Sequence, residues 1–116
     1  MGAPSGKRRR PSGTVERILA GLSVKSRRLL VERGVPAAFR SGRSLAVLGR
    51  PARLAADGPF ARLAFRLGED GRLSVGFAVA DDVDGPWHEE RGEFEPFTSR
   101  AYGYYVRYLK RLPPVD

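Results

Sequence analysis

Residues 60–80 read FARLAFRLGEDGRLSVGFAVA, two runs of alternating character joined by Gly68-Glu69-Asp70-Gly71. A side chain in a strand points to the face opposite its neighbours, so residues of one parity share a face. Ala61, Leu63, Phe65, Leu67, Leu73, Val75, Phe77 and Val79 share one parity and are apolar throughout. Phe60, Arg62, Arg66, Arg72, Ser74 and Gly76 share the other. This pattern predicts a β-hairpin with one core face and one arginine-bearing face. The first face decides the fold, and the second invites a polyanion.

Upstream of the hairpin, Asp57-Gly58-Pro59 marks a turn, and Ser44–Leu48 and Ala52–Ala56 read as two short strands around a Gly49-Arg50-Pro51 turn. Further back, Val15, Ile18, Leu19, Leu22, Leu29 and Leu30 recur at helical spacing between Thr14 and Arg33. Thr14 suits an N-cap, and Gly34 before Val35-Pro36 suits a stop. The stripe keeps its phase across Gly21, so one helix is expected. The alternative is two short helices with Ser23 capping the second, an arrangement open to a helix-turn-helix. Pro36–Arg43 is expected to be a connector with a helical turn near Ala37–Phe39.

Downstream, residues 81–86 form a loop, and Trp87–Phe94 read as a weakly alternating fifth strand. On it Trp87, Glu89, Arg91 and Glu93 would share one side, with His88, Glu90, Gly92 and Phe94 on the other. Thr98–Leu112 reads as a helix stopped by Pro113-Pro114, with Ala101, Tyr105, Tyr108, Leu109 and Leu112 on its apolar side. Arg100, Arg107, Lys110 and Arg111 gather on the opposite arc. The expected class is α+β: an N-terminal helix, an antiparallel sheet of four to five strands centred on residues 60–80, and a C-terminal helix on one sheet face. Residues 1–13, with Lys7, Arg8, Arg9 and Arg10, read as a disordered basic arm before a single domain, 14–116.

The 116 residues carry a net charge of +8, unevenly placed. Residues 1–56 hold 13 basic and two acidic side chains, whereas residues 81–95 hold seven carboxylates against Arg91 alone. Eighteen of the 21 basic residues are arginine, which suits two-point phosphate binding and suits equally a GC-rich or heat-adapted genome. The chain contains no cysteine, so disulfides and thiolate metal sites are excluded. His88 is the only histidine, which leaves no pair for zinc or a proton relay. Asp81, Asp82, Asp84, His88, Glu89 and Glu90 are residue types that ligate Mg²⁺ or Mn²⁺ in a nuclease, yet they fall in one loop and one strand. No catalytic site and no cofactor are expected.

These features point to a small cytoplasmic protein that binds single-stranded DNA or RNA with little sequence specificity. The expected contacts are Phe60, Arg62, Arg66 and Arg72 on the hairpin, Lys7–Arg10 on the arm, and Arg107, Lys110 and Arg111 on the last helix. Small residues at Ser74, Gly76 and Ala78 would let a strand approach the sheet closely. Strands followed by a basic helix are also the element order of the Whirly-type and transcriptional-coactivator single-stranded-DNA-binding families. The chain resembles them in that order alone, with no shared motif, so the likeness implies nothing about particular residues. The competing expectation is a protein-interaction subunit of a larger nucleoprotein assembly, or a homo-oligomer, in which the basic surface meets an acidic one. No membrane contact is expected.

Overall fold

In a computed structural model describing residues 12–115, three short helices precede four strands and a final helix. They are α1 (Ser12–Ala20), α2 (Val24–Glu32), α3 (Val35–Arg40), β1 (Leu45–Arg53), β2 (Phe60–Leu67), β3 (Leu73–Ala80), β4 (His88–Pro96) and α4 (Ser99–Lys110). The strands form an antiparallel meander in the order β1-β2-β3-β4, so the α+β plan holds. The basic arm, Lys7–Arg10, lies outside the described residues.

The central hairpin pairs Leu67 with Leu73, Leu63 with Phe77 and Phe60 with Ala80, in one unbroken register. Register and parity agree, and a one-residue slip would turn the apolar set outward. Ala61, Leu63, Phe65, Leu67, Val75, Phe77 and Val79 are buried, while Leu73, at the turn, is half-buried. Helix α4 packs on this inner face over β2 and β3, and α3 packs on β1. Phe65 sits 5.6 Å from Phe97 and 6.2 Å from Tyr102 between ring centroids, and Phe77 sits 5.6 Å from Tyr108. These offset and tilted ring pairs join sheet to helix. At the turn end of the hairpin, beside Leu73, Val15, Leu19, Leu30, Val35 and Phe39 continue the same core.

Three expectations are corrected. The single helix expected over Thr14–Arg33 is two helices, broken at Gly21-Leu22. Ser23 takes an extended backbone, φ −65° and ψ 160°, and its Oγ accepts from the Ser26 N–H at 3.1 Å. That cap satisfies a donor that a continuous helix would have bonded internally, so the break costs little. The connector after it is itself helical over Val35–Arg40, with Pro36 in the first turn, where its missing N–H has no intrahelical partner to lose.

The two short strands around Gly49-Arg50-Pro51 are one strand, β1, interrupted by a bulge between Leu48 and Ala52. Gly49 supplies the positive φ, 80°, that the bulge needs. Pro51 is tolerated because β1 has β2 on one side only, and its outer edge is met by the chain's own tail: the Arg53 N–H donates to the Pro113 carbonyl at 2.9 Å. Finally, β4 does not keep one parity. Its register jumps between Gly76 and Ala78, which pair with Phe94 and Glu89. The irregularity puts Phe94 and Glu89 on the same face, where plain alternation would have separated them.

Candidate nucleic-acid interface

The helices pack on the inner face, and among the described residues none covers the outer one. One of its two central strands, β3, presents only small residues there: Ser74, Gly76, Ala78 and Ala80. Larger side chains from β2, from β4 and from Trp87 just before it fill the space above them. The Arg62 guanidinium carbon lies 5.3 Å from the centre of the Trp87 ring, and that of Arg66 lies 4.9 Å from the Phe94 ring. A third pair, Arg53 over Phe60 at 5.2 Å, extends the row onto β1, where the two residues are register partners. Each such pair is worth about 0.5–1 kcal/mol at a partly exposed site.

This layer explains why Ala64 and Ala78, both of outward parity, are fully buried. It explains Gly76 as well. A Cβ at that position would lie 2.8 Å from the Phe94 ring and would collide with the Glu93 carbonyl. The room expected for an approaching strand is therefore taken by Trp87 and Phe94. What the outer face offers is a paved row of guanidinium groups and half-buried rings.

The arginines are held as well as stacked. Arg62 Nε donates to the Gly49 carbonyl at 2.9 Å, so the β1 bulge aims it. Burial lowers the Arg62 pKa from its ordinary value, but a guanidinium stays charged at neutral pH. Arg66 Nη1 donates to Glu89 Oε1 at 2.5 Å, which offsets one of the face's charges. Both side chains remain partly open to solvent, leaving N–H edges free for an anion.

The expected contact residues divide into three places. Arg62, Arg66 and Phe60 lie together on the outer face. Arg72 belongs to the hairpin turn: its side chain is exposed, Nε stands 3.5 Å from Asp70 Oδ2, and its backbone N–H donates to Asp70 Oδ1. Arg107, Lys110 and Arg111 are exposed on or just beyond α4, in the helical layer against the opposite face of the sheet, and make no ion pair among the described residues. Sequence reasoning missed Arg53, Trp87 and Phe94. Arg53 follows from the register once β1 is seen to continue past Pro51, whereas Trp87 and Phe94 needed the irregular pairing of β4.

The tyrosines of α4 are mostly core and rim. Tyr105 is buried and its hydroxyl donates to Glu95 Oε2 at 3.2 Å, while Tyr104 is 52% exposed and stacks on Tyr108. Burial first, then the neighbouring Glu95 carboxylate, pushes the Tyr105 pKa up to about 12. Among the described residues no three His, Asp or Glu side chains come together as a metal site, and no helix is long and apolar enough to cross a membrane. No family model matches the chain, and no curated protein or solved structure is similar to it.

Proposed function

We propose that this protein binds single-stranded nucleic acid, with little sequence preference, on the outer face of its sheet. The observation that carries the reading is the row of three arginine-on-ring pairs, Arg53–Phe60, Arg62–Trp87 and Arg66–Phe94, on a face that no described helix covers. A guanidinium lying on a ring keeps its edge N–H groups for phosphate and its second face for a base. Every base has a π-face, so stacking of this kind is sequence-tolerant. Unpaired bases are required, because a duplex presents its rings only edge-on in the grooves. Arg72 at the hairpin turn and the Lys7–Arg10 arm add electrostatic attraction, and Arg107, Lys110 and Arg111 give a second basic surface behind the sheet.

Trp87 is the chain's only tryptophan, so its fluorescence reports on this face alone. Titration with an oligonucleotide of about 20 nucleotides should quench it, with RNA and single-stranded DNA preferred over duplex. With three phosphates engaged, affinity should fall roughly 20-fold between about 50 and about 200 mM salt. Salt-independent affinity, or binding that leaves Trp87 unquenched, would sink the proposal.

A further inference from the structure

Behind the sheet, a trough runs along α4, bounded across from it by α2 at one end and by the β1 bulge at the other. It comprises two adjoining hollows of about 420 and 400 Å³ that share Tyr102 as a lining residue. Ser99 to Lys110 of α4 form one wall along both hollows; the facing wall is Lys25 to Glu32 of α2 in the first, and Arg33 with the β1 bulge, Gly49 to Ala52, in the second. At about 1.5 Å per residue the α4 wall runs for roughly 16 Å, about three helical turns. The floor is apolar: Leu29, Phe97 and Tyr102 in the first hollow, and Leu63, Val106 and Leu109 beside Tyr102 in the second. Charge lines both ends. Lys25 and Arg28 border one hollow, and Arg33, Arg50 and Lys110 border the other, against the single carboxylate of Glu32.

We infer that this trough is a docking site for an acidic amphipathic helix of a partner protein. A helix two to three turns long lays apolar residues along such a floor at i, i+3, i+4 and i+7, with acidic residues on its flanks meeting the rim. A fatty acid or phospholipid would need its cations at one end, whereas here they stand at both. A nucleic acid strand would need rings along its whole path, whereas the second hollow is aliphatic apart from Tyr102. A second copy of the chain fits poorly, because the acid-rich stretch 81–95 is committed to a loop and β4 and so offers no acidic helix. The inference stands on charge, shape and length, independently of nucleic-acid binding by the opposite face.

The test uses a labelled synthetic peptide of about 14 residues, with leucines at i, i+3, i+4 and i+7 and glutamates on the flanks. A control peptide has the same composition with its leucines spread around the helix. Fluorescence anisotropy against the full chain should show the patterned peptide binding at least about tenfold more tightly than the control. The Arg33→Glu/Arg50→Glu double variant reverses two exposed rim charges. It should bind the patterned peptide at least about tenfold more weakly with an unchanged circular dichroism spectrum. No binding, equal binding of the control peptide, or unaltered binding by the variant overturns the inference. Two further results overturn it by naming another occupant: self-association abolished by the same variant, or displacement of the peptide by an oligonucleotide. Trp87 quenching, read in the same samples, reports on the sheet face and so separates failure of this site from failure of that one.

Discussion

The inner and outer faces of the sheet draw on the same four strands and obey the same alternation, yet they are filled by different means. On the inner face the strands supply large apolar side chains, and α4 closes over them with its own rings, so Phe65 and Val75 have no solvent exposure. On the outer face β3 supplies almost nothing, and long or flat side chains from either side are laid over it. The inner layer is stabilised by burial of apolar area, which is large and non-directional. The outer layer rests on guanidinium–ring contacts and hydrogen bonds, which are small individually and leave cations within reach of solvent. One face therefore holds the fold, and the other adds less to it while keeping cations within reach of solvent.

The contrast breaks first at Phe65. Phe65→Ala removes a fully buried ring that touches Phe97 and Tyr102, and should cost about 3–5 kcal/mol. That is a large part of the roughly 5–15 kcal/mol that holds a domain together. Urea unfolding measures it, and a loss below about 1 kcal/mol would mean that the aromatic layer under α4 is not the core.

The outer face should respond the other way round. Arg62→Ala/Arg66→Ala removes two ring contacts and one partly solvated ion pair, for about 1–2 kcal/mol of stability. Oligonucleotide affinity should fall at least about tenfold, since a charge-assisted phosphate contact is worth about 1.5–3 kcal/mol. If stability collapses while affinity is spared, the two faces have been assigned the wrong roles.

The smallest effect sharpens the seam between the layers. Tyr105 is buried under α4 and hydrogen-bonded to Glu95 on β4, and its pKa is raised from 10.0 to about 12. The folded chain thus holds this proton more tightly than the unfolded chain does. The associated stability is complete below pH 10 and is lost as pH rises through about 12. Tyr105→Phe should cost only about 1 kcal/mol at neutral pH and should flatten the alkaline decline between those limits. Equal alkaline slopes for the two proteins would place the titration elsewhere.

How far these faces were legible depended on the range of the interactions that made them. The hairpin's parity, the Thr98 cap of α4 and the Ser23 cap of α2 depend on residues within a turn or a few positions of one another. Each therefore left a local signal. Even so, the Ser23 cap was outweighed by the unbroken phase of the apolar stripe, because two helices bent at Gly21-Leu22 can still share one core. The two-strand reading around Pro51 failed for a related reason, since proline ends pairing in a central strand but not at a bulge in an edge one.

The apolar set on β2 and β3 was determined by the sequence alone, because alternation that strict leaves one register in which the greasy side is buried. Arg62 and Arg66 were likewise assigned correctly to the opposite face. Only the tertiary structure decided what lies on top of that face. Arg62 meets Trp87, and Arg66 meets both Phe94 and Glu89, through an irregular β4 register that no local pattern encodes. The trough along α4 belongs to the same category. It is a volume left where α4, α2 and the β1 bulge pack on the same core without closing on one another, and its charges come from residues as distant in sequence as Lys25 and Lys110.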